Sequence, residues 1–323
     1  MSSGLGKAVG SMVNQIVSIW NYQIFIRIRC LSLSPVYLGA FWMLLTTLSF
    51  VALSISVRVL SVDMSVVQIV FLRCFFGILL FLPWIAGEGV GALKTKKFGQ
   101  HFFRAIFMGV GMILWFAAIG ALPLGDAIAL HFTLPLFMII FAAIFLGEKV
   151  DAVRWIATSI GFIGVLVVLR PGFQVIEWAH YFVLMSGALY GANHVITKFM
   201  SGTETPNATA FYMNLLILPG AAAALPFYWS IPNWDNLGWI LILGITGTTA
   251  HTCLLKAMRH ADASALAPID FLRLVFSSIA AYFLFGDISD VWTYVGASVI
   301  FLAAWYNTWW ARHSDQLVKV KRL

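Results

Sequence analysis

The chain has 323 residues, of which 61% are hydrophobic and only 10% are charged, with 20 Lys+Arg against 13 Asp+Glu. A soluble domain carries about 25% charged residues, so this composition excludes an ordinary cytosolic enzyme, a nucleic-acid-binding domain and a disordered protein. The chain has a net charge of +7. In a membrane protein, the positions of the basic residues indicate which loops lie on the cytoplasmic side.

Ten apolar stretches are long enough to cross a bilayer as helices, which takes about 20 mainly apolar residues each. Runs such as residues 137–145 do not alternate apolar and polar side chains, so a β-barrel is excluded. We therefore predict an all-α polytopic membrane protein with ten transmembrane helices. The predicted spans are residues 36–59, 66–86, 103–122, 126–146, 153–169, 178–200, 208–229, 237–258, 263–285 and 291–310.

The two ends of the chain lie outside these spans. Residues 1–35 have no signal-peptide layout, and Gln15–Arg29 mixes aromatic and basic residues. We interpret this extension as cytoplasmic or interfacial, with an unordered extension or a later natural start as open alternatives. Residues 312–323 are predicted to form a basic cytoplasmic tail.

Most of the basic residues lie on one side of the membrane. With both termini in the cytoplasm, only Arg58 and Arg170 fall outside, and Arg73 and Arg273 lie within spans. The other sixteen of the 20 Lys+Arg lie on the cytoplasmic side. This distribution follows the positive-inside rule and predicts a multi-pass membrane protein with cytoplasmic N and C termini. The expected location is the bacterial inner membrane.

The chain also carries an internal repeat. A shift of 139 residues aligns Ala118 with Ala257, Phe132 with Phe271, and Gly147-Glu148 with Gly286-Asp287. The two repeats, residues 36–170 and 178–311, hold five predicted spans each. Because five is odd, the second copy enters the membrane from the opposite face. Inverted repeats are typical of secondary transporters, whose substrate site lies near the midplane between the halves.

These features resemble a known family. The Arg73 within the second span, the stretch from Leu134-Pro135 to Gly147-Glu148-Lys149, and the segment 267–274 followed by Phe285-Gly286-Asp287 resemble the drug/metabolite transporter superfamily, EamA type. The second-half segment is similar to the branch that includes riboflavin and S-adenosylmethionine importers. That family usually has Glu where this chain has Asp287.

Ionisable residues within the spans are functional candidates, because charge inside a bilayer is costly unless it is paired or hydrated. Arg73 could bind an anionic group or tie helices together. Asp270 and Arg273 are three residues apart, so they share a helix face and can pair. His131 is the counterpart of Asp270 under the shift. A proton-coupling role for these residues and a merely structural one both stay open.

Aromatic residues within spans could stack a planar cargo, and we select Trp115, Tyr190 and Phe271. Pro135 and Pro268 lie inside spans, where a missing N–H bends a helix, so they are hinge candidates. His131, His194 and His251 are too scattered to propose a metal site, and no cofactor is predicted.

The resulting hypothesis is a secondary transporter that moves a small organic metabolite by alternating access. The favoured cargo is a planar vitamin such as riboflavin, taken up into the cell. The alternatives are S-adenosylmethionine, and an amino acid or drug/metabolite exporter of the same family. An intramembrane enzyme or a channel is disfavoured, since HExxH and GxSxG motifs and repeated polar pore residues are all missing from the sequence. The predicted partners are a small-molecule substrate and the lipid bilayer, with no nucleic acid.

Overall fold

The computed structural model describes residues 35–146, 152–172, 175–200, 202–261 and 263–320. Residues 1–34 of the predicted N-terminal extension, Glu148, and the last three residues of the tail lie outside this part. Within it the chain forms twelve α-helices and two 3₁₀ turns, at Val90–Leu93 and Trp234–Asn236, with no strand. The helices are α1 (Pro35–Leu60), α2 (Val66–Leu79), α3 (Leu82–Glu88), α4 (Phe98–Ala121), α5 (Leu124–His131), α6 (Leu134–Leu146), α7 (Ala152–Leu169), α8 (Trp178–Met200), α9 (Pro206–Tyr228), α10 (Leu237–His260), α11 (Ala263–Phe285) and α12 (Val291–Val320).

The helices match the predicted spans. Eight spans in the described residues are long and apolar enough to cross a membrane, with α2–α3 and α5–α6 counted as one span each. Helices α8 and α12 complete the set of ten. The predicted all-α fold class with ten spanning segments is therefore confirmed. Helix α12 continues to Val320, ten residues beyond the predicted end of the last span at residue 310.

Two spans are interrupted where the sequence contains proline. Pro135 has no N–H to donate to the carbonyl of His131, four residues earlier. Helix α5 therefore ends at His131, and the N–H of Thr133 turns to the carbonyl of Leu130 at 3.1 Å before α6 begins. Pro83 similarly lies in the first turn of α3, after a break at Leu80 and Phe81. Helix α11, in contrast, runs through Pro268 without a break.

The helices pack with two-fold pseudo-symmetry between the halves. Helix α1 packs against α10, and its counterpart α8 packs against α4. In the same way α11 contacts α1 and α6 contacts α8, while α2 meets α9 and α7 meets α12. Exchanging the two halves leaves this set of contacts unchanged. Since each half has an odd number of spans, the pattern is that of an inverted repeat.

Local details repeat as well. Ser65 and Thr205, which are 140 residues apart, are the N-caps of α2 and α9, and each hydroxyl accepts a hydrogen bond from the N–H three residues on. Helices α7 and α12 approach closely through small residues. A Cβ on Gly164 would lie 2.8 Å from Ile300 Cγ1 and 2.9 Å from the carbonyl oxygen of Gly296, so glycine allows the backbones to meet.

Candidate substrate-binding site

A cavity of about 460 Å³ lies between the two halves, within the size range of small-molecule sites. Most of its lining is apolar, with several methionines that include Met108, Met112 and Met213. Methionine adapts its shape to irregular ligands. The polar and charged lining residues are Ser54, Arg73, Arg104, His131, Arg154, Asn193, His194, Thr197, Lys198, His251, Asp270, Arg273, Asn307 and Thr308.

The structure brings most of the sequence-predicted site residues into this cavity. Its lining includes Arg73, Trp115, His131, Pro135, Tyr190, Asp270 and Arg273. Phe271 and Pro268 are outside the lining. The ring of Phe271 packs instead behind two lining residues, with centroid distances of 5.3 Å to Phe132 and 4.4 Å to Phe301.

One wall of the cavity is an aromatic cluster around His131. The imidazole lies 4.3 Å from the Trp115 ring at an interplanar angle of 35°, and it meets the Tyr190 ring edge-on at 5.3 Å. His131 is only 5% exposed, and both of its ring nitrogens lack a hydrogen-bond partner among the described residues. Buried polar atoms are nearly always paired, so a lining residue with two unpaired nitrogens is suited to a polar ligand.

A second group of lining residues combines phenylalanine rings with an ion pair. The guanidinium of Arg273 lies over the rings of Phe50 and Phe132 at 5.4 and 5.1 Å. A nitrogen of the same group is 3.6 Å from a carboxylate oxygen of Asp270. The pairing expected from their three-residue spacing is therefore present, although it is long for a hydrogen bond.

Arg73 lies at the meeting point of three helices. Its Nη1 donates to Asn214 Oδ1 at 3.1 Å on α9, and its Nη2 donates to the carbonyl of Gly247 at 3.1 Å on α10. A Cβ on Gly247 would be 2.8 Å from Arg73 Nε, so only glycine leaves room for this side chain. The sequence left two roles open for Arg73, binding an anionic group and tying helices together. Its contacts are those of a helix tie, and the residue also lines the cavity.

Sequence reasoning missed Arg104, which it placed among the cations at a span end. The structure buries Arg104 to 5% exposure in the cavity lining. Its Nε donates to Asn193 Oδ1 at 3.2 Å, and its Nη1 lies 3.4 Å from His101 Nδ1. The other His101 nitrogen, Nε2, is 3.3 Å from Glu204 Oε2. The three-residue spacing of His101 and Arg104 places both on one face of α4. This spacing was the feature of the sequence that could have indicated their interaction.

This network belongs to one end of the bundle, which we call the basic end. There Lys97 donates to the carbonyl of Phe199 at 2.9 Å, and Arg259 donates to the carbonyl of Glu204 at 3.0 Å. The cavity extends toward this end. Its lining includes Lys198 and Met258 in the last turns of α8 and α10, and Leu266 in the first turn of α11.

The opposite end, which we call the far end, is closed by a contact between the halves. Arg58 Nη1 lies 2.9 Å from Asp287 Oδ2 and donates to the carbonyl of Leu122 at 2.6 Å. The same carboxylate accepts from the N–H of Leu124 at 3.3 Å, and the guanidinium lies 5.0 Å from the Phe285 ring centroid. Asp287 thus joins the second half to the first.

A second pair at the far end links α7 to α12. Arg170 Nη2 lies 2.8 Å from Asp290 Oδ2, with both side chains partly exposed. The backbone N–H of Trp292 and the positive charge of Arg170 hold the pKa of Asp290 below its ordinary value. This carboxylate therefore stays ionised over the physiological pH range.

Comparisons with known proteins agree with this architecture. The EamA-like transporter family matches residues 37–170 and 177–309. A riboflavin transporter of Rhizobium johnstonii is 31% identical over 84% of this chain and 91% of its own length. An S-adenosylmethionine uptake transporter of Rickettsia bellii is 30% identical over 81% of this chain and 90% of its own length.

A crystal structure with 15% sequence identity matches 86% of this chain and 98% of its own, with a TM-score of 0.61. At this identity the likeness concerns the fold alone. The family match covers both five-span halves of the chain. The chain is therefore an integral membrane protein that belongs to the EamA-like transporter family.

Proposed function

We propose that the chain takes up riboflavin, or a closely related planar vitamin, through this cavity. The observation that carries the proposal is the group of aromatic side chains that lines one cavity between the halves. Trp115, His131, Phe132 and Phe301 all line this cavity, and the Trp115 and His131 rings lie 4.3 Å apart. The isoalloxazine ring of riboflavin is flat and heteroaromatic, so it can stack on such rings while its polar edge meets the unpaired nitrogens of His131. Relatives named as riboflavin transporters support this cargo.

The proposed orientation places the basic end in the cytoplasm of a bacterial cell, with both termini there and the protein in the inner membrane. The positive-inside rule supports this placement. In that orientation the cavity extends toward the cytoplasm, and the contact between Arg58 and Asp287 lies on the outer side. Residues 36–170 and 178–311 would rock as two halves, so that the cavity opens to each side in turn.

We also propose that protons are coupled to transport at the Asp270–Arg273 pair. Asp270 lines the cavity, and its contact with Arg273 is long at 3.6 Å. Protonation of Asp270 would weaken this contact and release the Arg273 side chain. The Pro135 break between α5 and α6 lies beside His131, which makes it the favoured hinge, whereas α11 is continuous at Pro268.

The test is uptake of radiolabelled riboflavin by cells that lack their own carrier. We expect saturable uptake, and Trp115→Ala should raise KM about tenfold because a stacking contact is lost. The matched control is Trp178→Ala, since Trp178 is 53% exposed and lies outside the cavity lining. Uptake no greater than in cells without the protein would overturn the proposed cargo.

A further inference from the structure

Arg104 lines the cavity with part of its guanidinium unused. The residue is 5% exposed. Its Nε donates to Asn193 Oδ1 at 3.2 Å, and its Nη1 lies 3.4 Å from His101 Nδ1. Among the described residues Nη2 has no hydrogen-bond partner, and neither does the amide nitrogen of Asn193, which also lines the cavity. Because buried donors are nearly always paired, these two groups are suited to a ligand.

A chain of hydrogen bonds holds Arg104 in this position. A guanidinium only donates, so His101 Nδ1 is the acceptor in their contact and His101 Nε2 carries the hydrogen. Nε2 lies 3.3 Å from Glu204 Oε2, and the other oxygen of that carboxylate accepts from Thr95 Oγ1 at 2.8 Å. The His101 ring also stacks on Tyr212, with 4.5 Å between the centroids. The guanidinium is therefore held by its neighbours before any ligand binds, which is what a specific binding group requires.

Arg104 and Trp115 line the cavity at different depths. Both belong to α4, and at 1.5 Å per residue their Cα atoms are about 16 Å apart along the helix axis. Helix α4 begins at the basic end, so Arg104 is the nearer of the two to that end. On α8, Tyr190 joins Trp115 in the cluster around His131, whereas Asn193 contacts Arg104. A flat ring beside Trp115 therefore leaves Arg104 and Asn193 to another part of the cargo.

We infer that Arg104 and Asn193 form a subsite for a hydroxylated side chain of the cargo, with the flat ring deeper in the cavity and the side chain toward the basic end. This rests on the proposed function and adds a second recognition element to it. A hydroxyl both donates and accepts, so the ribityl chain of riboflavin can accept from Arg104 Nη2 and from the Asn193 amide. A site built to hydrogen-bond substrate hydroxyls discriminates strongly against an analogue that lacks them.

Two flavins isolate the contribution of the hydroxyls. Riboflavin and its N10-pentyl analogue share the ring and the length of the side chain, but the analogue has no hydroxyls. We would measure the Kd of each compound on the purified full chain by isothermal titration calorimetry. The pentyl chain is the more hydrophobic, so an apolar cavity alone would favour it. With the subsite, riboflavin should bind at least about tenfold more tightly than the pentyl analogue.

Arg104→Met should remove this preference, because it keeps a long side chain and removes the donors. The ratio of the two Kd values should fall below about threefold. Arg259→Met is the matched control, since Arg259 is exposed at the basic end and lies outside the cavity lining, and it should keep the wild-type ratio. Trp115→Ala should weaken both flavins to a similar degree, because it acts on the ring that they share. Size-exclusion profiles and melting temperatures verify that the variants fold.

The outcomes are distinct. A pentyl analogue that binds the wild type as tightly as riboflavin would overturn the subsite and leave the proposed cargo intact. The same holds if folded Arg104→Met keeps the wild-type ratio, or if Arg259→Met loses it equally. The wild-type comparison needs no variant, so it decides the question even if Arg104→Met misfolds. If neither flavin binds, the subsite and the proposed cargo both fail.

Discussion

Phe132 and Phe271 occupy equivalent positions 139 residues apart, and their ring centroids lie 5.3 Å from each other. The pseudo-two-fold axis of the inverted repeat therefore passes between these two rings. Their neighbours His131 and Asp270 are equivalent positions as well, and both line the cavity. An imidazole in one half and a carboxylate in the other thus give the symmetric backbone a chemically asymmetric site.

Arg58 and Asp287 are expected to hold the far end closed. Asp287→Asn leaves a partly buried guanidinium without its counter-ion, which costs about 1–3 kcal/mol after allowance for partial exposure. The far end should open more often, so a cysteine introduced at Leu122, which is 3% exposed, should react faster with an impermeant maleimide. Arg170→Gln at the same end is the control, because Arg170 lies in a more exposed pair and should change the rate little. An unchanged rate in Asp287→Asn would argue against this closure.

Gly247 is expected to be required for the position of Arg73. In Gly247→Ala the added Cβ would lie 2.8 Å from Arg73 Nε, and such overpacking costs about 1–3 kcal/mol. Thermal unfolding in detergent should show a lower melting temperature. Gly238→Ala in the same helix is the control, since nothing lies within 4 Å of its added Cβ. The prediction fails if the two variants melt alike.

The pair of Arg170 and Asp290 is expected to respond to acid and not to neutral pH. The pKa of Asp290 is lowered in the folded protein, so its stabilising effect is present above the unfolded pKa of about 3.9 and is lost as pH falls through the folded value. The difference in melting temperature between the wild type and Asp290→Asn should stay constant from about pH 5 to 8 and shrink below about pH 4. A difference that changes between about pH 6 and 7 would contradict the assignment.

Asp270 is expected to carry the pH dependence of uptake. Asp270→Asn fixes the side chain in a neutral form of the same size, so riboflavin uptake by the variant should no longer vary with external pH. The comparison is a set of uptake rates from pH 5.5 to 8 for the wild type, Asp270→Asn and Glu177→Gln, with Glu177 outside the cavity lining. Parallel pH profiles for all three proteins would rule out Asp270 as the coupling group.

The spans, the repeat and the inversion follow from the sequence because apolar length and loop charge determine them. The polar candidates Arg73, His131, Asp270 and Arg273 all line the cavity. They could be selected from the sequence because few ionisable groups occur within the spans. The direction in which each aromatic side chain points was harder to predict. These helices are apolar on all sides, so no hydrophobic stripe marks the face that looks inward.

Phe271 and Arg104 are two residues whose side-chain direction could not be predicted from the sequence. Phe271 lies within its predicted span, but its ring packs behind Phe132 and Phe301. Arg104, seven residues into α4, looks in the sequence like a cation at the membrane surface. Its burial depends on Asn193 of the other half, 89 residues away, and no local pattern encodes that partner.

The central claim is that a planar cargo binds among the aromatic residues that line the cavity near the pseudo-two-fold axis. It is tested most directly by a cryo-electron microscopy structure of the full chain with riboflavin. We predict density for the flavin ring in the cavity, within stacking distance of Trp115 or Phe132 and with a polar edge at a nitrogen of His131. Flavin density elsewhere on the protein, or a cavity that stays empty at saturating riboflavin, would contradict the account.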